Sequence, residues 1–407
     1  MKNKEQREKL EKNIFIFGWT SFFEDVSSQM NYSIIPLFLA NTLGLPKAFI
    51  GLVEGIAETT ASLLKVLFGW LSDKLKTRKS FAVTGYAITA ASRPFLALAT
   101  KGWHVLGLRF ADRTGKGIRT SPRDALIADS ADEENRGRAF GFHRALDTAG
   151  AVVGPLIAFL LLYFFKAGYR QIFLISVIPA VIAVLIISGA RERKCLRTEQ
   201  AAAEKRSVSP FSAINSSADF KKFLVIIGFF TLSNSSDAFL ILRASNLGVS
   251  SVFIPVLYLL FNLTYAVSAV PSGILSDRIG SKRVIFYGFL VYAFVYFGFA
   301  LASCQAHVWL LFIIYGFYYG LTDGVSRAFV SKLLPCDHRA TAFGVYHGVV
   351  GIAIFPASLL MGFLWDFKGP GFAFMFAAFL ALTAAVLLIT WLPKKQTTES
   401  IQKEKVC

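Results

Sequence analysis

Residues 69–79 read GWLSDKLKTRK, and residues 273–283 repeat the pattern as GILSDRIGSKR. The copies lie 204 residues apart, which is half of the 407-residue chain, and each copy stands between two long apolar segments. A helix end with a glycine, followed by an aspartate and a short basic turn, therefore occurs once in each half. This repetition predicts two related helical bundles joined in one chain.

The composition is typical of a membrane protein. Hydrophobic residues make up 54% of the chain and charged residues only 17%, and one crossing of the bilayer core takes ~20 apolar residues. The sequence offers twelve such stretches, at residues 14–39, 48–71, 80–99, 103–127, 141–165, 172–189, 223–244, 252–275, 284–302, 307–334, 341–364 and 371–392. We therefore expect an all-α membrane protein with 12 transmembrane helices in two pseudo-symmetric six-helix bundles.

One long polar segment divides the chain. Residues 190–222 carry eight Lys and Arg and separate six predicted spans from six. The sequence thus predicts an N-terminal bundle at residues 1–189, a cytoplasmic linker at 190–222, a C-terminal bundle at 223–392 and a cytoplasmic tail at 393–407.

The net charge of +17 indicates a lipid bilayer, and no nucleic acid, as the partner, because of where the charge lies. Only five Lys and Arg fall in the segments opposite the predicted linker, whereas the segments on the linker's side hold most of them. This positive-inside asymmetry predicts that both termini are cytoplasmic. We expect a multi-pass monomer in the plasma membrane, here the bacterial inner membrane.

The paired motif, the six-plus-six layout and the central basic loop resemble the major facilitator superfamily over essentially the whole chain. The second copy fits that family's loop pattern G-x-x-x-D-R-x-G-x-[KR]-[KR], while the first departs from it at Lys76, where glycine is usual. The resemblance implies secondary transport by alternating access, with the loops as a conformational latch. The residues of this latch are Gly69, Asp73, Arg78, Lys79, Gly273, Asp277, Arg278, Gly280, Lys282 and Arg283.

Elementary chemistry gives these loop residues a physical role. A glycine at the helix end, as at Gly69 and Gly273, permits close helix packing. Asp73 and Asp277 lie where a carboxylate can accept hydrogen bonds from a neighbouring helix N-terminus. The same pattern has an explanation without a latch: the basic residues set the topology of the chain in the membrane and contact anionic lipid.

The fifth predicted span contains a spaced glycine series. Gly141 is followed by Gly150 and then by Gly154-Pro155, which permits close backbone approach and lets the proline kink the helix. Ordinary small-residue packing explains the same pattern. The spacing G-x8-G-x3-G-P is similar to the superfamily's antiporter signature and implies a proton-linked exporter, although the final glycine pair of that signature is replaced from Ala158 onward.

The predicted spans of the first half hold many ionisable residues, which are costly in a bilayer and usually functional or paired. Those of the fourth span cover about 140° of a helix, so we expect them to line the interior. Two adjacent carboxylates favour a change of protonation. We predict proton coupling and charge switching at Glu24, Asp25, Glu54, Glu58, Arg113 and Asp147, with Asp25 and Glu58 as proton carriers and Arg113 as the switching cation. We predict a substrate cavity lined by Arg109, Lys116, Arg119, Asn234, Asp237, Asn262, Asp323 and Arg327.

The sequence leaves the solute open. The basic stripe indicates an anionic solute, but the first-half spans hold eight Lys and Arg against seven Asp and Glu, so internal pairing explains nearly all of the charge. In that alternative the acids are permanent partners of Arg113 and Lys116.

The predicted function is a secondary active transporter that moves a small organic solute by proton-coupled antiport, in the direction of export. One alternative is a proton-coupled importer of an organic anion or metabolite. An alternative of another class is a non-transporting membrane receptor or scaffold. The sequence contains no GxxxxGK[ST] nucleotide loop and no HExxH or GxSxG motif, so we expect no enzyme, no cofactor and no metal.

Overall fold

Helices account for all of the regular structure in the described part of the chain. A computed structural model of the protein describes residues 2–75, 77–131, 136–192, 217–333 and 339–392. The helices are α1 Lys2–Tyr32, α2 Ile35–Leu37, α3 Lys47–Leu75, α4 Lys79–Leu98, α5 Gly102–Ser130, α6 Arg136–Phe164, α7 Tyr169–Ile175, α8 Val177–Ser188, α9 Ala218–Ser233, α10 Ala238–Asn246, α11 Ile254–Ile279, α12 Ser281–Leu301, α13 Gln305–Lys332, α14 Arg339–Lys368 and α15 Pro370–Trp391. A π-helical turn, Phe38–Thr42, follows α2.

Within the described ranges, eight helical segments are long and apolar enough to cross a membrane. They are Arg138–Phe164, Tyr169–Ser188, Ala218–Asn246, Ile254–Ile279, Ser281–Leu301, Gln305–Lys332, Phe343–Lys368 and Pro370–Trp391. The other long helices are α1, α3, α4 and α5, and these hold most of the ionisable residues of the candidate site. Residues 193–216 of the predicted linker and the predicted tail at 393–407 lie outside the described residues.

The helices form two sets that pack around a central space. In the first set, α1 packs against α6 and α8, and α5 packs against both α3 and α4. In the second set, α13 packs against α11 and α12, and α15 packs against α12 and α9. The main contacts between the sets join α3 to α14 and α6 to α11.

Three of the predicted spans are interrupted. The predicted span at residues 223–244 lies within the apolar segment Ala218–Asn246, but residues 234–237 separate α9 from α10 inside it. All four residues of this break are Asn, Ser or Asp, whose side chains compete with the helix for backbone hydrogen bonds. The first and sixth predicted spans are also broken, at Ser33 and Ser176.

The interface between α3 and α14 is closed at the end of the molecule away from the loop motifs, which we call the opposite end. There, a Cβ atom on Gly51, Gly55 or Gly362 would collide with the backbone of the other helix. The carboxylate of Asp366 in α14 accepts hydrogen bonds from the N–H groups of Lys47 and Ala48 at 3.1 and 2.7 Å. A carboxylate of one set therefore caps a helix N-terminus of the other.

The same interface is open at the end that carries the loop motifs, which we call the motif end. Trp70 of α3 is 59% exposed. At Gly344 and Gly348 of α14, no described neighbouring atom lies within 4 Å of the place a Cβ would occupy. The two helices thus meet at the opposite end and separate towards the motif end.

Candidate functional site

A central cavity of about 570 Å³ lies between the two sets of helices. Its lining includes every residue predicted for the coupling group and for the substrate cavity except Glu54. Both sets contribute, the first through α1 and α3 to α6, the second through the break after α9 and through α11, α13 and α14. In the described residues, no group of three or more His, Cys, Asp or Glu is placed to hold a metal ion.

The charged stripe of the fourth predicted span lies on α5 and faces inward. Arg109, Arg113 and Arg119 are buried, with at most 6% of each exposed. A Cβ on Gly115 would collide with α4, and one on Gly117 would collide with α3. Because the glycines let α5 pack closely on two helices, its long side chains are directed to the remaining face, which borders the cavity.

A buried ion cluster surrounds Glu24. Its Oε1 atom lies 2.5 Å from Arg93 Nη2 and 2.8 Å from Arg119 Nη1. Arg93 also donates a hydrogen bond to Ser27, and the Arg119 guanidinium stands 4.3 Å from the centre of the Tyr86 ring. A carboxylate that is the shared counter-charge of two buried guanidinium groups cannot be protonated without leaving both unpaired. The geometry thus favours a structural role for Glu24.

Two further ion pairs join α5 to α3. Arg109 contacts Glu54 at 2.7 Å and Arg113 contacts Glu58 at 3.1 Å. Asp112 lies 3.8 Å from the first arginine and 3.9 Å from the second. The Glu54 side chain is 1% exposed and that of Glu58 is 28% exposed, so only Glu58 of the two reaches the cavity.

Asp25 and Asp147 form a carboxyl pair between α1 and α6. Their carboxyl groups lie close enough to share a hydrogen bond when one of them holds a proton. Asp147 also accepts hydrogen bonds from the Ser21 hydroxyl at 2.7 Å and from Arg144 at 2.9 Å. These donors stabilise Asp147 as the anion.

The lysines of the cavity differ from its arginines. Each arginine that lines the cavity has a carboxylate within 4 Å. Among the described residues, no carboxylate lies that close to Lys65 or Lys116. Lys116 interacts electrostatically with Glu58 and Asp25 at longer range. Its side chain is exposed to the cavity, although the residues on either side of it are buried.

The second set of helices places an acid among tyrosines. Asp237, in the break between α9 and α10, accepts a hydrogen bond from the Tyr315 hydroxyl at 2.7 Å and lies 3.5 Å from that of Tyr319. In the described part of the chain, no Lys or Arg nitrogen lies within 4 Å of it. Asn234, the first residue of the break, donates to the Tyr318 hydroxyl at 3.1 Å. Asn262 donates to a carbonyl of its own helix.

A polar chain crosses from α6 to the second set. Arg144 donates to the Tyr265 hydroxyl at 3.0 Å, and that hydroxyl donates to Asp323 at 2.8 Å. Asp323 also pairs with Arg327 one turn further along α13. Since Arg144 binds Asp147 as well, the chain connects the carboxyl pair to the second set. No sequence signal marks Tyr265, because an uncharged residue in an apolar helix has nothing to distinguish it.

The glycines of the two motif copies have different surroundings. A Cβ on Gly69 would lie 3.1 Å from Ser121 of α5, which confirms the close packing predicted there. At Gly273 no described atom lies within 4 Å of the Cβ position in this conformation, so the close packing predicted there stays a prediction. Gly280 ends α11 with φ +92°, a conformation that favours glycine. Its counterpart, Lys76, lies outside the described residues.

In the first copy, the basic residues hold the start of α4. Arg78 forms an ion pair with Asp129 of α5. The N–H groups of Arg78 and Lys79 donate to the Glu192 carboxylate at 2.6 and 3.1 Å. Glu192, which the sequence did not mark, therefore caps α4. The side chain of Asp73, predicted to act as a cap, lies outside the described side chains.

In the second copy, Lys282 donates to the carbonyl oxygens of Ile389 and Leu392 at the end of α15. These carbonyls have no partner within their own helix, and a lysine at a helix C-terminus satisfies them. Asp277 and Arg278 are exposed. Asp277 makes no hydrogen bond with the described residues, so the capping role predicted for it stays a prediction.

The glycine series of the fifth predicted span faces α1. A Cβ on Gly150 or Gly154 would collide with backbone carbonyls of α1, which confirms the predicted close approach. Gly141, nearer the motif end, has no described atom within 4 Å of its Cβ position. The helix continues through Pro155.

The family model of the Major Facilitator Superfamily matches residues 17–242 and 223–406. The chain belongs to this superfamily. An uncharacterised MFS-type transporter of Methanocaldococcus jannaschii is 36% identical over 95% of this chain and 97% of its own length. The PmrA homologue of Lactococcus lactis, a multidrug-resistance efflux pump, is 24% identical over 82% of this chain and 83% of its own.

Among solved structures, the nucleoside transporter NupG superposes with a TM-score of 0.77 at 15% identity, over 94% of this chain and 99% of NupG. At that identity, the likeness to NupG is one of fold alone. The family match makes this MFS chain a multi-pass membrane transporter for a small molecule.

Proposed function

We propose that the protein is a secondary active transporter that exports a small organic solute in exchange for protons. In this proposal, twelve spans form two six-helix bundles, residues 1–189 and 223–392, which rock around the central cavity. The linker at 190–222, the tail at 393–407 and both termini are cytoplasmic, and the membrane is the bacterial inner membrane.

The observation that carries the coupling step is the carboxyl pair at the cavity wall. Asp25 faces a second carboxyl group, Asp147, and in this proposal the two share one proton. Asp147 also accepts a hydrogen bond from Arg144, which donates a second one to Tyr265 of the second set. Loss of the proton from this pair therefore places a new negative charge beside the only direct polar link between α6 and α11 in the described residues.

Two observations support export. The L. lactis relative is an efflux pump. The glycine series that resembles the antiporter signature packs tightly on the helix that carries Asp25.

Everted membrane vesicles test the proposal even while the solute is unidentified. Vesicles from cells that overproduce the chain are energised to an acidic lumen and incubated with a desalted small-molecule cell extract, and their contents are measured by mass spectrometry. At least one solute should accumulate above the level in vesicles with the Asp25→Asn variant, and a protonophore should abolish the difference. Equal contents in all samples would contradict transport, and accumulation that ignores the protonophore would contradict proton coupling.

A proton-coupled importer of an organic anion is the second candidate, and Lys116 is the observation that favours it. When Asp25 holds a proton, Lys116 has one counter-charge fewer, so a proton and an anion bind together better than either does alone. Right-side-out vesicles with an acidic exterior distinguish the two candidates. An importer accumulates anions in these vesicles, whereas an exporter accumulates solute only in everted ones.

A further inference from the structure

We propose that the central cavity binds a small zwitterion, with its anionic group at Lys116 and its ammonium group at Asp237. The inference rests on the proposed function in one respect, namely that this cavity is the solute site. It adds the chemical class of the solute and the two residues that select it.

Lys116 is the available cation of the first set. The arginines around it are paired with carboxylates of the protein, including Arg113 with Glu58 at 3.1 Å and Arg119 with Glu24 at 2.8 Å. Lys116 has no carboxylate within 4 Å among the described residues, and its side chain is exposed to the cavity. A flexible ammonium group without a partner is a ready counter-charge for a carboxylate that enters the cavity.

Lys65, the other cavity lysine without an ion pair, is placed differently. Its electrostatic neighbours are Asp124, Arg123, Arg327 and Asp323. The four form two ion pairs of their own, one on α5 and one on α13. Lys65 therefore lies near two ion pairs, each without net charge, on the side of the cavity towards the motif end. It is not next to the unpaired charges of Lys116 and Asp237.

Asp237 is the available anion of the second set. It faces the hydroxyl groups of Tyr315 and Tyr319 and, in the described ranges, no basic side chain within 4 Å. The other cavity acid without an arginine is Asp25, which already faces the carboxyl group of Asp147. Asp237 is thus the one carboxylate of the described cavity whose partners are all neutral hydroxyls. An ammonium group of the solute would supply the counter-charge that it lacks.

The two charges stand on opposite walls and flank a common neighbour. Lys116 belongs to α5, and Asp237 to the break between α9 and α10. Both lie within electrostatic range of Glu58, and all three residues line the same cavity. A solute that bridges them needs its two charges at the two ends of its body.

Aromatic side chains line the same cavity as these charges. Tyr258 and Phe261 have ring centres 5.3 Å apart, and Phe261 and Tyr319 have ring centres 5.2 Å apart. The ring centre of Tyr32, in the first set, lies 5.4 Å from that of Tyr258. The cavity of about 570 Å³ falls in the range of ~300–1,000 Å³ of small-molecule sites. Its occupant therefore has an apolar or aromatic body between an ammonium and an anionic group.

Two matched trios of compounds test this assignment by ligand-induced thermal stabilisation of the purified, full-length protein in detergent. The first trio is 4-(aminomethyl)benzoate, benzylamine and 4-methylbenzoate. The second is 6-aminohexanoate, hexylamine and hexanoate. In at least one trio, the zwitterion should bind at least about tenfold more tightly than either singly charged member, since each charged contact is worth about a factor of ten. No binding by any of the six, or equal binding within both trios, overturns the proposal.

Two variants make the assignment specific to residues. Lys116→Gln should remove the advantage of the zwitterion over the amine, and Asp237→Asn should remove its advantage over the carboxylate. Lys101→Gln, on the exposed turn before α5, is the matched control and should keep the wild-type preference. If both cavity variants lose affinity for all members of a trio alike, the charges do not select the solute and the proposal fails.

The binding assay tests the site assignment and the vesicle assay tests the proposed function, so either proposal can be overturned without the other. Proton-driven accumulation of some solute from the cell extract, without binding of the zwitterions, overturns only the present inference. Binding of the zwitterions, with the predicted response to Lys116→Gln, but without any proton-driven accumulation overturns the proposed function and leaves the site assignment in place.

Discussion

The Asp25 side chain has a carboxyl group as its neighbour, where the other cavity acids of the first set have an arginine. Because a neutral amide cannot release a proton, Asp25→Asn should fix the pair in one charge state. We expect loss of the accumulation in everted vesicles that depends on the pH gradient, with unchanged thermal stability. Asp219→Asn, which removes a surface carboxylate paired with Lys222 at 3.7 Å, should transport normally. Wild-type accumulation by Asp25→Asn would show that the coupling proton is held elsewhere.

Glu24 is expected to matter for stability and not for coupling. Glu24→Gln leaves the guanidinium groups of Arg93 and Arg119 without a counter-charge in a buried site. A buried pair broken on one side costs ~3–5 kcal/mol, so the free energy of unfolding in detergent should fall by about that amount. For the exposed pair of Asp219, the corresponding loss should be ~0–1 kcal/mol. Equal losses for the two variants would contradict the structural role of Glu24.

At the scale of helices, hydropathy and charge spacing predicted most of the elements but few of their contacts. The inward stripe on α5 was visible because its charges recur at helical spacing. The break at residues 234–237 was missed because hydropathy averages over four polar residues between apolar runs. The caps on α3 and α4 were also missed, since Asp366 and Glu192 lie 318 and 113 residues from their partners. The sequence position of a single acidic residue at a helix end does not indicate which other helix it contacts.

The cap on α3 predicts a shift between conformations. Asp366→Ala removes two hydrogen bonds that close the opposite end. Loss of such a cap costs ~1 kcal/mol, which lowers the ratio of closed to open molecules about fivefold. Spin labels at Thr42 and Ser250, in a chain whose four cysteines are replaced by serine, should show a larger population at long distance. Asp366→Asn keeps a capping oxygen and should change the distance distribution less. Identical distributions for Asp366→Ala and the wild type would show that this cap does not hold the opposite end closed.

For the whole molecule, the unused part of the α14 face indicates a second packing arrangement. Gly344 and Gly348 continue, at helical spacing, the face on which Gly351 and Gly362 meet α3. In this conformation the first two glycines face open space, and the matching stretch of α3 around Trp70 is exposed. Open space does not require glycine, whereas close contact of two helices does. The motif end is therefore expected to close by bringing these two stretches together.

Bulky side chains on this face should block that closure without harming the observed state. Gly344→Leu and Gly348→Leu fill open space here, and each replaces glycine in a helix, so thermal stability should hold or rise by up to ~1 kcal/mol. Accumulation in everted vesicles should nevertheless fall, because the cavity no longer closes at the motif end. Gly107→Leu on α5, also in open space but at the opposite end, separates this effect from the gain in helix propensity and should transport normally. Full transport by both α14 variants would mean that α3 and α14 never meet at the motif end, and the rocking of the two sets would then need a different interface.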